Sequence, residues 1–196
     1  MWQYFQDTFT KTSSTFVENQ HIFGKVYFPR LIMPITIVIS GLLKFFVQLS
    51  LLLIGIFIYY FNTDALTIRW EIVFFPLLLL IVIILSLGFG LIVSALTTKY
   101  RDLKFLIDFA VPLFKYVTPG IATTYAIFTD KLPKSLTVFV KYNPLGYIID
   151  SFNFMFVGAG SFQVFNLLYS ALFALVVLFI GLIIFNQTDK TFMDTV

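Results

Sequence analysis

Residues 72–98 have the sequence IVFFPLLLLIVIILSLGFGLIVSALTT and contain no charged side chain, although Glu71 and Lys99 flank them directly. An α-helix rises about 1.5 Å per residue, so this run would reach about 40 Å, more than the ~30 Å hydrocarbon core of a bilayer. A run of this length and apolarity predicts a transmembrane helix.

The composition of the whole chain is that of a membrane protein. Of 196 residues, 59% are hydrophobic and 12% are charged, whereas about 25% of the residues in soluble domains are charged. The chain has no cysteine and one histidine, His21, so disulfides, thiolate nucleophiles and most histidine-based metal sites or triads are excluded. A net charge of +3 is too weak to indicate nucleic acid. We therefore exclude a soluble enzyme and expect neither catalytic residues nor a bound metal.

Three further segments are predicted to cross the bilayer. Residues 31–61 are interrupted only by Lys44, and residues 163–186 lie within a charge-free tract. Residues 105–127 are less uniform, and we expect them to form a kinked span, because backbone at this depth must be helical or sheltered by protein. The interruptions of that segment are Asp108, Pro112, Lys115 and Pro119.

Two segments are apolar without forming complete spans. Residues 1–17 place aromatic side chains on one helical face and polar ones on the other, which is typical of an interfacial helix or of a span shielded by other helices. Residues 128–162 are broken by proline and glycine, and we expect short re-entrant helices that dip in from the outer face. The predicted fold class is an all-α polytopic membrane bundle.

Basic residues in the loops indicate the orientation of the four clear spans. One side carries seven of them: Lys11, Lys25, Arg30, Lys99, Arg101, Lys104 and Lys190. The other side carries four: Arg69, Lys131, Lys134 and Lys141. Because lysine and arginine are enriched in cytoplasmic loops, the first side is predicted to be cytoplasmic, with residues 187–196 as a cytoplasmic tail.

Residues 18–30 form the first candidate site, a loop on the cytoplasmic side just before a span. Its mixture of apolar and charged residues is typical of a short helix that docks into a groove of a partner protein. The alternative is an interfacial anchor that holds lysine, arginine and tyrosine at the level of the lipid headgroups. The pattern leaves both interpretations open.

Polar residues inside the spans form a second candidate site. Ser40, Lys44 and Gln48 lie on one face of the 31–61 helix, and a central lysine costs at least ~2.5–3.5 kcal/mol on insertion scales. We therefore expect this face to meet another helix, a water-filled conduit or a second subunit, unless Lys44 snorkels or pairs with a carboxylate. Asp108 and Lys115 lie about two turns apart, and both a conduit-lining and a purely structural pair remain open.

Several motifs together resemble a known family. They are Asn19 with KVYFPRLIMP at 25–34, SALTTKYRDL at 94–103, Tyr116 with Thr118-Pro119, and YNPL at 142–145 with Ile148-Ile149. In this order they resemble the ABC-2 type permeases that export polysaccharides, namely O-antigen, capsular polysaccharide and teichoic acid. Lys115 departs from the family, whose members usually carry an apolar or aromatic residue there.

The resemblance implies a particular arrangement of spans. The family has six spans preceded by an amphipathic cytoplasmic helix. We expect that helix and the first span to be absent here, so that residues 1–17 are the remnant of the second span and form an N-terminal partial span. The whole chain is then a single ABC-2 type transmembrane domain.

The resemblance also implies partners and site residues. It implies a homodimer in the bacterial cytoplasmic (inner) membrane, bound to two copies of an ABC ATP-binding subunit, which alone would carry ATP and Mg; the permease itself would bind no cofactor. The expected ATPase-coupling residues are Glu18, Asn19, Lys25, Val26, Tyr27, Phe28, Pro29, Arg30, Tyr100, Arg101 and Asp102. Candidates facing the conduit or the dimer interface are Ser40, Lys44, Gln48, Asp108, Lys115 and Tyr116. Asn143 and Pro144 form the outer re-entrant motif.

Export of a lipid-linked polysaccharide, without covalent chemistry by the permease, is the function that this resemblance implies. One alternative is a drug or lipid exporter of the same fold. Another is an inactive truncated remnant or a membrane scaffold. A membrane glycosyltransferase is disfavoured, because the carboxylates Asp64, Glu71, Asp130 and Asp150 are scattered without paired spacing.

Overall fold

The computed structural model describes residues 1–19, 29–63, 69–121 and 142–193. Within these ranges the chain is helical and contains no strand, which confirms the predicted all-α membrane bundle. The helices are α1 (Trp2–Ser13), α2 (Thr15–Glu18), α3 (Ile32–Thr63), a 3-10 helix (Trp70–Phe74), α4 (Phe75–Lys99), α5 (Leu103–Val117), α6 (Pro144–Val157) and α7 (Val164–Met193).

Among the described residues, three helices are long and apolar enough to cross a membrane. They cover Ile32–Tyr59, Trp70–Lys99 and Val164–Thr188, and they coincide with the spans predicted at 31–61, 72–98 and 163–186. Agreement is close because a span depends on the hydropathy of its own residues, which is a local property of the sequence.

The fourth predicted span, 105–127, forms a shorter helix than expected. α5 ends at Val117, and its 15 residues rise only about 22 Å. The helix stops because Thr118 precedes a proline, which disfavours the helical conformation, and Thr118 is extended at φ −86° and ψ 118°. Gly120 then takes a left-handed φ of +86° and completes the turn. Residues 122–127 lie outside the described residues.

α4 is the central helix of the bundle, and glycines bring its neighbours close. A Cβ added to Gly88 would lie 2.7 Å from the backbone nitrogen of Leu178 in α7. One added to Gly181 would lie 2.7 Å from the carbonyl oxygen of Gly88. The α4 and α7 backbones therefore touch directly, as small residues allow within membranes.

α1 packs inside the bundle, between α3, α4 and α5. Trp2, Tyr4 and Phe5 are buried, and Thr97 of α4 donates a hydrogen bond to the Ser13 carbonyl over 2.8 Å. Of the two interpretations of residues 1–17, the structure therefore supports a helix shielded by other helices rather than an interfacial one.

α6 starts deep in the bundle. The Asn143 side chain caps it by accepting a hydrogen bond from Leu145 N at 3.1 Å, and Ser170 donates to the Pro144 carbonyl. Its start shares a cavity with Leu85 and Phe173, which lie well inside α4 and α7. α6 therefore runs from the middle of the bundle toward the end at which α7 begins.

The other end of α6 is fixed to the turn before α7. Asp150 is buried and accepts hydrogen bonds from the backbone nitrogen and the hydroxyl of Ser161 at 2.9 and 2.8 Å. A Cβ on Gly160 would lie 2.7 Å from the Asp150 carbonyl oxygen. This connection leaves α6 little freedom to tilt independently of α7.

Candidate functional site

The two predicted coupling segments are joined by an ion pair at the end of the bundle that is predicted to be cytoplasmic. The Lys104 ammonium at the start of α5 lies 2.8 Å from the Glu18 carboxylate at the end of α2. α2 itself packs against α4, and Asn19 donates a hydrogen bond to the Thr15 carbonyl. The end of α2 and the turn between α4 and α5 therefore form one continuous surface.

The ionisation of both partners reflects this contact. Burial alone would raise the pKa of Glu18, but hydrogen bonds from Lys104 and Ser14 and the charges of Lys104 and Lys11 outweigh it and lower that pKa. The hydrogen bond to Glu18 raises the pKa of Lys104. Both groups are therefore charged at neutral pH.

The other coupling residues that the structure describes differ in exposure. Tyr100, Arg101 and Asp102 are exposed in the turn between α4 and α5, with the Lys99 ammonium 5.5 Å from the Tyr100 ring centre. Arg30 is buried. Pro29 is exposed. The predicted residues Lys25, Val26, Tyr27 and Phe28 lie outside the described residues.

A second site lies between α1 and α3, where two polar stripes face each other. Gln3, Asp7 and Lys11 recur at four-residue intervals on α1, as Ser40, Lys44 and Gln48 do on α3. The helices are antiparallel, because Tyr4 contacts Phe45 while Thr8 lies against Gly41. We call the resulting cleft the polar groove; its volume is about 140 Å³, and Asp7, Lys11, Ser40, Lys44 and Gln48 are its polar lining residues.

An ion pair between Lys44 and Asp7 crosses the polar groove. Gln3 donates to the other Asp7 oxygen over 2.7 Å, so both oxygens of this carboxylate have donors. The Lys44 side chain remains 59% exposed, which places the pair on the surface of the bundle rather than in its core. Of the expectations for Lys44, pairing with a carboxylate is confirmed, and a position facing the conduit or a second subunit stays a prediction.

The remaining conduit candidates do not join this groove. Asp108, Lys115 and Tyr116 are exposed on α5. Within the described residues, no ion pair joins Asp108 and Lys115, and their position facing the conduit or a second subunit stays a prediction. Seven residues of helix separate them by about 10 Å along the axis, too far for contact even on a shared face.

Asn143 and Pro144 border an aromatic cavity of about 300 Å³. Its walls include Phe5, Phe89, Phe114, Tyr142 and Phe173. Among the described residues, no three His, Asp or Glu side chains come together as a metal site would require.

The polar residues of α1 were visible in the sequence, but their pairing with α3 was not. The signal for that pairing is the shared four-residue spacing of the two stripes.

Comparison with known proteins finds relatives among O-antigen export permeases. No protein-family model matches the sequence. Two O-antigen export system permease proteins RfbA from Klebsiella pneumoniae are each 28% identical to this chain over 194 residues, which are 98% of this chain and 71% of the relative. An RfbA permease from Myxococcus xanthus is 24% identical over 156 residues, 79% of this chain and 56% of the relative. The similarity confirms the resemblance that the motifs indicated, which is to the ABC-2 type O-antigen export permeases.

Proposed function

We propose that this chain is the membrane permease subunit of an ABC exporter that moves a lipid-linked polysaccharide across the bacterial inner membrane. The observation that carries the proposal is similarity to O-antigen export permeases along nearly the whole chain. The three apolar helices supply the membrane-spanning part. The cargo is O-antigen, a capsular polysaccharide or a teichoic acid.

A separate ATP-binding subunit would provide the energy. Closure of an ATPase dimer acts on a membrane domain only through rigid cytoplasmic elements. The Glu18–Lys104 ion pair supports this, because it connects the end of α2 with the turn at Tyr100–Asp102. Residues 18–30 and this turn would then move together when the ATPase closes.

The permease would act by moving helices and would perform no covalent chemistry. ATP and Mg would be bound by the ATPase subunits alone. Two permeases would form a homodimer, with the re-entrant segment around Asn143 and Pro144 reaching from the outer side into the bundle. The deep start of α6 supports that assignment.

The alternatives make different predictions. A drug or lipid exporter of the same fold is disfavoured, because the relatives are O-antigen export permeases. An inactive remnant or scaffold would bind no ATPase productively. Stimulation of ATP hydrolysis distinguishes a working permease from an inactive remnant and from a scaffold.

The test is reconstitution of the permease with its co-expressed ATPase subunit in liposomes. We expect stimulated ATP hydrolysis and export of the polysaccharide, and we expect Phe28→Asp to abolish both, since it puts a charge on an apolar docking residue. Lys190→Asp, a charge change in the cytoplasmic tail, is the matched control. Normal export and stimulation by the Phe28 variant would contradict the coupling assignment.

A further inference from the structure

The polar groove between α1 and α3 carries an excess of positive charge. Its lining includes two lysines and one aspartate. Lys44 and Gln3 already occupy the Asp7 oxygens. The charge of Lys11 also acts on the Glu18 carboxylate, but that carboxylate is paired with Lys104. The groove therefore suits a ligand that carries a negative charge.

The depth of the groove sets it apart from an ordinary surface site. Lys44 lies 12 residues into α3 after Ile32, about 18 Å along the helix. Lys11 and Ile37 line the end nearer the cytoplasm. A row of polar residues thus extends from the headgroup region toward the middle of the bilayer.

The surroundings of the groove indicate an amphiphile rather than a free ion. Ile39, Leu43 and Val47 are exposed on α3 beside the polar stripe, and the cleft is open to the side. A headgroup in the groove would leave its acyl chains against these apolar side chains. The cavity of about 140 Å³ has room for several waters or for one compact polar group.

We propose that the polar groove binds the phosphate of a lipid headgroup of net negative charge, through Lys11 and Lys44, while the lipid tails remain in the bilayer. This inference deepens the proposed function. It rests on that function, because it takes the bound lipid to be the one that carries the exported polysaccharide. Asp7 would hold Lys44 in place and limit the net charge of the groove to +1.

The test uses the permease with its ATPase subunit in phosphatidylcholine nanodiscs. Photoactivatable phosphatidylglycerol is the probe, and photoactivatable diacylglycerol, which lacks phosphate, is the control lipid. We expect the phosphatidylglycerol label to map to residues 1–19 and 32–63. Excess inorganic phosphate should leave this labelling unchanged; displacement by it would mean that the site binds a soluble anion and would overturn the proposal.

Charge variants give the sharpest comparison. Lys11→Gln preserves the Asp7–Lys44 pair, and we expect it to reduce labelling roughly fivefold, since one lysine near a membrane surface contributes about that factor. Asp7→Asn raises the net charge and should increase labelling, whereas Lys190→Gln, in the predicted cytoplasmic tail, is the charge-matched control and should change nothing. Equal labelling of the Lys11 and Lys190 variants, or equal labelling by diacylglycerol, would overturn the proposal.

ATPase stimulation in the same preparations keeps the two proposals separate. Normal stimulation with no groove labelling would refute the lipid site and leave the export function standing. Groove labelling without stimulation or export would count against the proposed function and leave the lipid site standing.

Discussion

At the residue scale, Lys44 illustrates how a charge is tolerated within an apolar helix. An unpaired lysine at the centre of a span costs at least ~2.5–3.5 kcal/mol. Here α1 brings Asp7 against it, and Gln3 donates to the same carboxylate. The pair lowers the cost of both charges, and its exposed position keeps it accessible to water or to a ligand.

The Asp7–Lys44 pair predicts a double-mutant result. Asp7→Asn leaves Lys44 without its carboxylate, and we expect a loss of up to about 3 kcal/mol in stability. Asp7→Asn combined with Lys44→Gln removes both charges and should recover most of that loss. Thermal unfolding in detergent, with Lys115→Gln as control, measures the effect; equal melting temperatures for the single and double variants would refute the coupling.

The Glu18–Lys104 pair predicts a pH dependence. Because the folded-state pKa of Glu18 lies below its ordinary value of 4.5, the pair stabilises the fold above that pH, and the contribution disappears as pH falls through the lowered pKa. The raised pKa of Lys104 preserves its charge well above neutrality. Exposed pairs contribute only about 0.2–1 kcal/mol, so the effect is small.

The measurement compares wild type with Glu18→Gln by thermal unfolding across pH. The wild type should be slightly more stable near neutrality, and the two curves should converge in acid below pH 4.5. A difference that persists unchanged into strong acid would show that Glu18 acts through something other than its charge.

At the element scale, close backbone contact holds the central helices together. α4 and α7 meet at Gly88 and Gly181, where no side chain has space. Without a hydrophobic driving force inside the bilayer, such contact is a main source of helix association. α1 uses the same principle, since a Cβ on Gly90 would lie 2.6 Å from the Thr12 side chain.

The close contact at Gly88 predicts that a single methyl group added there will strongly destabilise the protein. Gly88→Ala forces α4 away from the Leu178 backbone, and we expect a loss of about 1–3 kcal/mol from overpacking. Gly55→Ala is the matched control, because nothing lies within 4 Å of a Cβ there, and alanine favours the helix. If Gly88→Ala and Gly55→Ala lower the melting temperature in detergent equally, this result would contradict the close packing of α4 against α7.

At the scale of the whole molecule, the two cytoplasmic segments are expected to transmit force as one unit. Glu18 is the last residue of α2, and Lys104 lies in the first turn of α5, so their ion pair connects two parts of the bundle that the chain separates widely. A movement imposed on either segment by an ATPase would reach both.

A charge exchange tests this connection. Glu18→Lys and Lys104→Glu each place like charges together, and we expect each to reduce ATPase stimulation in the reconstituted complex. The double exchange restores an opposite pair and should restore most of the stimulation. If the double variant stimulates no better than either single variant, the pair does not couple the segments.

The membrane-spanning helices and the family could be inferred from the residues in order, because hydropathy and short motifs are local properties. The start and end of Trp70–Lys99, for example, follow from a run without charge between Glu71 and Lys99. The fold class and the resemblance to polysaccharide export permeases were obtained in this way.

Which residues come together in the candidate sites depends on which helix faces pack against each other. Asp7 and Lys44 are 37 residues apart, and Glu18 and Lys104 are 86 apart. No local pattern pairs such residues, because helix packing depends on side-chain shape along whole faces. For the same reason α1, short and polar on one side, becomes one wall of the polar groove. Asp108 and Lys115 stay apart for a different reason, because the rise of their shared helix separates them.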